Sequence, residues 1–195
     1  MGRYLSKEIG NVGRFASGAI VIGCVLGLLS ACGGSRPKAG PVVENLLCPT
    51  IGVLEFADRR FQYSADGNIG DPAALIWRAR IEDFEHGCMY QLREPLGVTV
   101  DIDMVLQVDL GPNGGPGTIT VPFVVAVLDQ FGATRGRQEF RTEIPVDDLA
   151  RAGRVREKLR QTIALADLAN GAGHQVVVGL KLGAAALTHN QGLDR

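Results

Sequence analysis

The sequence predicts an all-β fold behind an N-terminal export segment: two antiparallel sheets packed as an immunoglobulin or fibronectin type III-like sandwich. Three observations lead there. Val98, Val100, Ile102, Met104, Leu106, Val108 and Leu110 alternate with Thr99, Asp101, Asp103, Val105, Gln107 and Asp109, the period of two of a long half-buried strand. Similar runs recur along the chain, roughly seven strands at hairpin spacing. The connections between many of them are glycine- and proline-rich, as in Gly111-Pro112-Asn113-Gly114-Gly115-Pro116-Gly117, which no helix crosses. Strands without crossover helices bury their apolar faces most economically against a second sheet.

The chain opens on a basic segment with Arg3, Lys7 and Arg14, then an apolar run over residues 15–29, then Leu29-Ser30-Ala31-Cys32. This order is that of an export signal. The run is shorter than the roughly 20 residues a bilayer core demands and carries Gly18, Gly23 and Gly27, so a processed signal fits better than a spanning helix. Leu-Ser-Ala-Cys resembles the bacterial lipoprotein lipobox. The resemblance implies that Cys32 receives a diacylglycerol thioether and palmitate and becomes the first mature residue, and that the absence of Asp behind it, where Gly33 and Gly34 stand, favours transfer to the outer membrane, facing the periplasm. Several acyl chains on one cysteine, each buried methylene contributing about 0.8 kcal/mol, anchor durably.

The expected organisation is a signal peptide over residues 1–31, a lipidated cysteine and tether over 32–47, a β-sandwich over 48–190 and a tail over 191–195. Gly33-Gly34-Ser35-Arg36-Pro37-Lys38-Ala39-Gly40-Pro41 has the composition of a flexible or semi-extended tether. The remaining 164 residues, 195 less 31, suit one domain. The signal carries a net charge of +2, so the overall −1 becomes −3 after cleavage. That mild acidity gives no electrostatic reason to expect a nucleic-acid partner. The envelope partners expected are the membrane, through the lipid, and an envelope protein.

With Cys24 in the signal and Cys32 lipidated, Cys48 and Cys88 are the two thiols left to an extracytoplasmic domain, and a structural disulfide between them is expected. Neither sits in a C-x-x-C, and His86 near Cys88 has no second ligand cluster, so no metal site is assigned.

In chain order, residues 50–57 form the first strand candidate. Leu75, Trp77, Ala79 and Ile81 alternate with polar positions, and the pattern resumes at Cys88, Tyr90 and Leu92 after Glu85-His86-Gly87, which reads as a turn closing a hairpin. The strand over 98–110 follows. The β-branched run over 118–128 is expected to pair with it as an adjacent antiparallel strand across the glycine-rich loop. Residues 138–146 and 174–182 are further strands. Residues 149–167 fit both a helical stripe and a period of two; Gly153, Val155, Thr162 and Ile163 favour a turn followed by a strand. The alanine-rich residues 182–190 suit a short helix.

Candidate chemistry is sparse, and neither catalytic residues nor a cofactor are assigned. Asp101, Asp103 and Asp109 share a strand face and alternate with core positions, which marks the wet side of an amphipathic strand before a hydrolase pair or a cation site. Asp66-Gly67-Asn68-Ile69-Gly70-Asp71 has oxygen ligands without EF-hand spacing and reads as a surface turn. The loop over 111–117 lacks the Gly-Lys-Ser/Thr ending of a phosphate-binding loop and reads as a flexible hairpin. His86, His174 and His189 are scattered, and Thr188, His189 and Asn190 read as solvated. Arg135, Arg137 and Arg141 precede Arg151, Arg154, Arg156, Lys158 and Arg160. The last five are a candidate basic interaction face for anionic headgroups or an acidic partner, balanced against a solvated strand diluted by Glu139, Glu143, Asp147, Asp148 and Glu157.

Cys48-Pro49, the Cys88 hairpin, the aspartate-bearing strand, the Gly-Pro behind it and the closing Val-Gly-Leu-Lys-Leu resemble small uncharacterised envelope lipoproteins of proteobacteria. The resemblance implies the compartment and the sandwich, and no activity. The reading that follows is a non-catalytic interaction or scaffold module; the alternative is a glycan- or lipid-binding module that stacks ligands on Trp77, Tyr63 or Tyr90.

Overall fold

A computed structural model describes residues 46–193. Eight strands run in chain order: β1 Thr50–Val53, β2 Arg59–Tyr63, β3 Leu75–Gln91, β4 Gly97–Leu110, β5 Gly117–Leu128, β6 Thr134–Val146, β7 Ala152–Ala164 and β8 Gln175–Leu180, followed by helix α1, Ala184–Leu193. They form two four-stranded sheets, β1-β8-β5-β6 and β2-β3-β4-β7. All neighbours are antiparallel except β1 and β8, which run parallel.

The sheets pack face to face because each presents one apolar row. Val98, Val100, Ile102, Met104, Leu106 and Val108 of β4 are buried, and they meet Val121, Phe123, Val125 and Val127 of β5 and Val176, Val178 and Leu180 of β8 in one core. The architecture is the all-β two-sheet sandwich expected. β2, β3 and β4 are successive neighbours in one sheet, β5 and β6 in the other, and the chain changes sheet between β1 and β2, β4 and β5, β6 and β7, and β7 and β8.

Two local expectations are corrected. Residues 85–87 are no turn, since β3 runs unbroken through them and pairs with β4 along nearly its whole length. A bulge between Ile81 and Asp83 resets the register, and one extra residue in a strand moves the following side chains to the other face. Inward positions therefore change from Trp77, Ala79 and Ile81 to Phe84, Cys88 and Tyr90.

The strands over β4 and β5 do not pair with one another but lie in different sheets. The loop between them is a corner, tied to β3 by Gly111 N donating to Ile76 O at 2.8 Å and Asn113 N to Leu75 O at 3.1 Å. Arg151 Nη2 donates to Gly111 O at 2.7 Å and holds the corner from the other side.

Residues 149–167 resolve as a turn and then β7. Asp147 Oδ1 accepts from Leu149 N at 2.8 Å and Ala150 N at 2.9 Å, and Arg151 turns the chain at a φ of 50°. Gly153 lets β6 and β7 approach: a Cβ there would lie 2.2 Å from Pro145 O. Gly153→Ala is therefore expected to lower the unfolding free energy by about 1–3 kcal/mol through overpacking against backbone, read as a lowered urea midpoint; an unchanged midpoint contradicts this packing.

Helix α1 forms as expected and extends past residue 190. Asn190 is buried rather than solvated, with Nδ2 donating to Phe56 O at 2.7 Å and Arg59 O at 2.9 Å. This pins the helix to the β1–β2 connection.

Candidate functional site

The disulfide joins Cys48, just before β1, to Cys88 in β3, with Cα atoms 5.8 Å apart. It fastens the incoming chain of one sheet to a strand of the other. Two hydrogen bonds reinforce the attachment, Tyr90 Oη donating to Leu47 O at 2.6 Å and Thr50 N to His174 O at 3.1 Å. Burial pushes the Tyr90 hydroxyl above its ordinary pKa. Cys32 lies outside the described residues.

The outer face of the second sheet brings together two features that are far apart in the chain. β4 and β7 pair so that Asp101 stands opposite Arg160 and Asp103 opposite Lys158. Arg160 Nε donates to Asp101 Oδ1 at 2.7 Å, and the pairing raises the Arg160 pKa further. Asp103 takes Arg156 Nη1 at 2.8 Å and Lys158 Nζ at 3.2 Å, while Asp109 takes Arg78 Nε at 3.0 Å. Arg154 pairs with Glu82, the bulged residue of β3. Four of the five candidate basic residues thus sit in an acid–base ladder, and Arg151 stands apart at the sheet corner. Exposed pairs of this kind contribute about 0–1 kcal/mol each. Their main consequence is that the face carries little excess charge.

A shallow hollow of about 530 Å³ opens on this face beside Gly87, bounded by Glu85, Asp101, Asp103, Lys158 and Arg160. His86 also borders it but pairs in register with the buried Ile102, so strand alternation turns its side chain away from Asp101 and Asp103. The other histidines are elsewhere: His174 Nδ1 is 2.9 Å from Asn170 O, and His189 Nε2 is 3.3 Å from Tyr63 Oη. Among the described residues no group of three or more His, Cys, Asp or Glu side chains is arranged to hold a metal. Residues 66–71 lie in an exposed turn region, where Asp71 caps the short 3-10 helix Pro72–Ala74 by accepting from Ala73 N.

The β5–β6 turn is built on Asp129, whose Oδ1 accepts from Phe131 N and Ala133 N at 2.9 Å each and whose Oδ2 meets Arg135. Burial alone would raise its pKa; the backbone donors and the Arg135 guanidinium outweigh it and hold the carboxyl below the usual range. A depressed folded pKa contributes stability above the unfolded value, about 4, and that contribution is lost as pH falls through the folded pKa. Asp129→Asn is therefore expected to lower Tm at neutral pH, with the difference from the parent closing below about pH 4. A Tm difference that is constant from pH 7 to pH 2 contradicts this role.

The aromatic candidates do not meet. Tyr63 packs with Phe61 and His189 on β2 and α1, Tyr90 holds Leu47, and Trp77 lines a cleft with Arg60 from β2. Arg60 gave no sequence signal, because it sits in a five-residue strand with no fully buried position.

β6 is the most exposed strand. It is an edge of thirteen residues, and residues 134–139 are exposed on both faces. β7, also thirteen residues, is the edge of the other sheet on the same side, joined to β6 by Thr142 Oγ1 donating to Glu157 Oε1. Phe131, 83% exposed, stands at the tip of the β5–β6 hairpin. No helix among the described residues is long and apolar enough to cross a membrane. Comparison with protein-family models, curated proteins and solved structures finds no match to this chain.

Proposed function

We propose that this chain is a lipid-anchored protein of the bacterial cell envelope, attached through Cys32 to the outer membrane on its periplasmic side, and that its sandwich is a non-catalytic interaction module. The observation that carries the second half is the β6 edge. A long strand bonded on one side presents a row of unpaired backbone donors and acceptors, a template for strand addition by a partner. Its outward side chains, Arg137, Glu139, Arg141 and Glu143, alternate in sign, which guards against self-pairing and selects a partner of complementary charge.

The anchoring half rests on the lipobox-like Leu29-Ser30-Ala31-Cys32, and the Cys48–Cys88 disulfide suits an oxidising compartment. Metabolic labelling with palmitate in a bacterial host tests it. The full-length protein is expected to take up label and fractionate with membranes, and Cys32→Ser to lose both. Label retained in Cys32→Ser contradicts the assignment.

A further inference from the structure

The cleft over Trp77 has a different charge economy from the rest of the surface. It measures about 1040 Å³ and opens where β8 ends, so that β2 and β3 of one sheet meet the 181–183 segment and β5–β6 of the other. Three cations line it, Arg60, Arg141 and Lys181, against one carboxylate, Glu139. Lys181 Nζ takes Glu139 Oε2 at 2.6 Å, and Arg137 Nη2 lies 3.1 Å from Glu139 Oε1, so this carboxylate is already shared between two cations. Arg60 and Arg141 form no ion pair within 4 Å among the described residues, although the Arg141 charge also helps hold the Glu139 carboxyl below its ordinary pKa, behind the Lys181 hydrogen bond.

Arg60 is the unusual member. It is half-buried beside the fully buried Ala79, its guanidinium carbon lies 5.9 Å from the centre of the Trp77 ring, and Nη1 donates to Lys181 O. Its Nε is buried without an acceptor. Burial lowers its pKa, with no acid nearby to offset the desolvation. A partly desolvated guanidinium without a counter-charge is costly in a folded protein, whereas every charged residue of the ladder on the other face has its partner within 4 Å. The surroundings are not those of a bare phosphate site. Trp77 and Pro122 supply apolar surface, while Gln62 and Thr120 supply hydroxyl and amide groups, the combination that a sugar ring requires beside its anionic substituent.

We infer that this cleft binds a phosphorylated saccharide, the phosphate between Arg60 and Arg141 and the sugar against Trp77 and Gln62. This goes beyond the interaction-module reading: the cleft shares Glu139 and Arg141 of β6 with it, but rests on the Arg60 and Trp77 side chains rather than on the strand's backbone edge. The same chemistry is offered by a free sugar phosphate and by the headgroup of a phosphorylated glycolipid.

The test is equilibrium dialysis of the full-length protein in detergent micelles against labelled glucosamine 1-phosphate, glucosamine and inorganic phosphate, with lipopolysaccharide co-sedimentation as the lipid arm. Trp77, the single tryptophan of the chain, gives a parallel fluorescence signal. The expected result is saturable binding of the sugar phosphate, at least tenfold tighter than glucosamine or phosphate alone and weakened by salt. Arg60→Gln and, separately, Arg141→Gln are expected to weaken it at least tenfold, while the ladder variant Lys158→Gln leaves it unchanged. Should Arg60→Gln fail to fold, Arg141→Gln carries the comparison. Binding of lipopolysaccharide without the free sugar phosphate assigns the glycolipid as source; binding of both assigns the soluble group. No saturable binding of either, equal binding of unphosphorylated glucosamine, or full affinity in Arg141→Gln overturns the proposal. Absence of palmitate label from the parent protein, or label retained in Cys32→Ser, would leave this result untouched, so the two readings fail separately.

Discussion

Replacing Cys48 and Cys88 by Ser together is expected to lower the unfolding free energy by about 4 kcal/mol. The crosslink closes a loop spanning 40 residues of sequence separation, and the chain-entropy relation for a loop of that length gives about 4 kcal/mol at 25 °C. The loss falls mainly on the unfolded state, which regains its conformational freedom. The folded state has its own stake: Leu47 is held by Tyr90 and Thr50 by His174 beside the crosslink, so the four-residue β1, an edge strand with one neighbour, is the first element to fray. Urea unfolding with and without reductant reads both effects. The parent is expected to lose its extra stability on reduction, and the double variant to show no response to reductant. A change below about 1 kcal/mol in the double variant contradicts the crosslink's role.

Phe123→Ala is expected to cost about 3–5 kcal/mol, the range for removing a buried aromatic and leaving a cavity. Phe123 is 1% exposed at the middle of the core, between Phe140 and Leu180 in register, with its ring centre 5.2 Å from that of Phe140. β5 is a central strand bonded on both sides, so the backbone around the cavity cannot collapse into it. Phe140 lies on the edge strand β6 and is only half-buried, so Phe140→Ala is expected to cost distinctly less. Equal losses in the two variants, measured by urea unfolding, contradict this placement of the core.

The strands with one buried face were legible because alternation survives in the sequence wherever a strand is long and regular, as in β4. β7 was harder. Its inward Val155, Leu159 and Ile163 are four apart and match a helix as well as a strand, and only the outward Arg154, Arg156, Lys158 and Arg160 declare the period of two. β3 misled at residues 85–87, where Gly87 and the polar Glu85-His86 resemble a turn. Its apolar residues had already changed parity, from odd at Trp77, Ala79 and Ile81 to even at Phe84, Cys88 and Tyr90, and that shift marks a bulge.

Pairing across the chain was not legible. A seven-residue glycine-proline connection serves a hairpin and an inter-sheet corner equally, so β4 and β5 could not be assigned to separate sheets from residues alone. The basic run and the aspartates were both visible, but their neutralisation depends on the β4–β7 register, which joins Asp101 to Arg160 across 59 residues. Arg60 and Lys181 are 121 residues apart, and nothing local in Arg59-Arg60-Phe61-Gln62-Tyr63 points to a cleft.

The central claim is that an anchored sandwich engages a partner through its β6 edge. In-cell photocrosslinking tests it most directly, with a photoreactive residue placed at the position of Gln138 on β6, at Lys158 on the neighbouring edge, and at Asp66 in the distant turn. The account predicts one crosslinked envelope protein from Gln138, the same protein at equal or lower yield from Lys158, none from Asp66, and loss of the product in Cys32→Ser. No product from Gln138, or an identical pattern from Asp66, contradicts it.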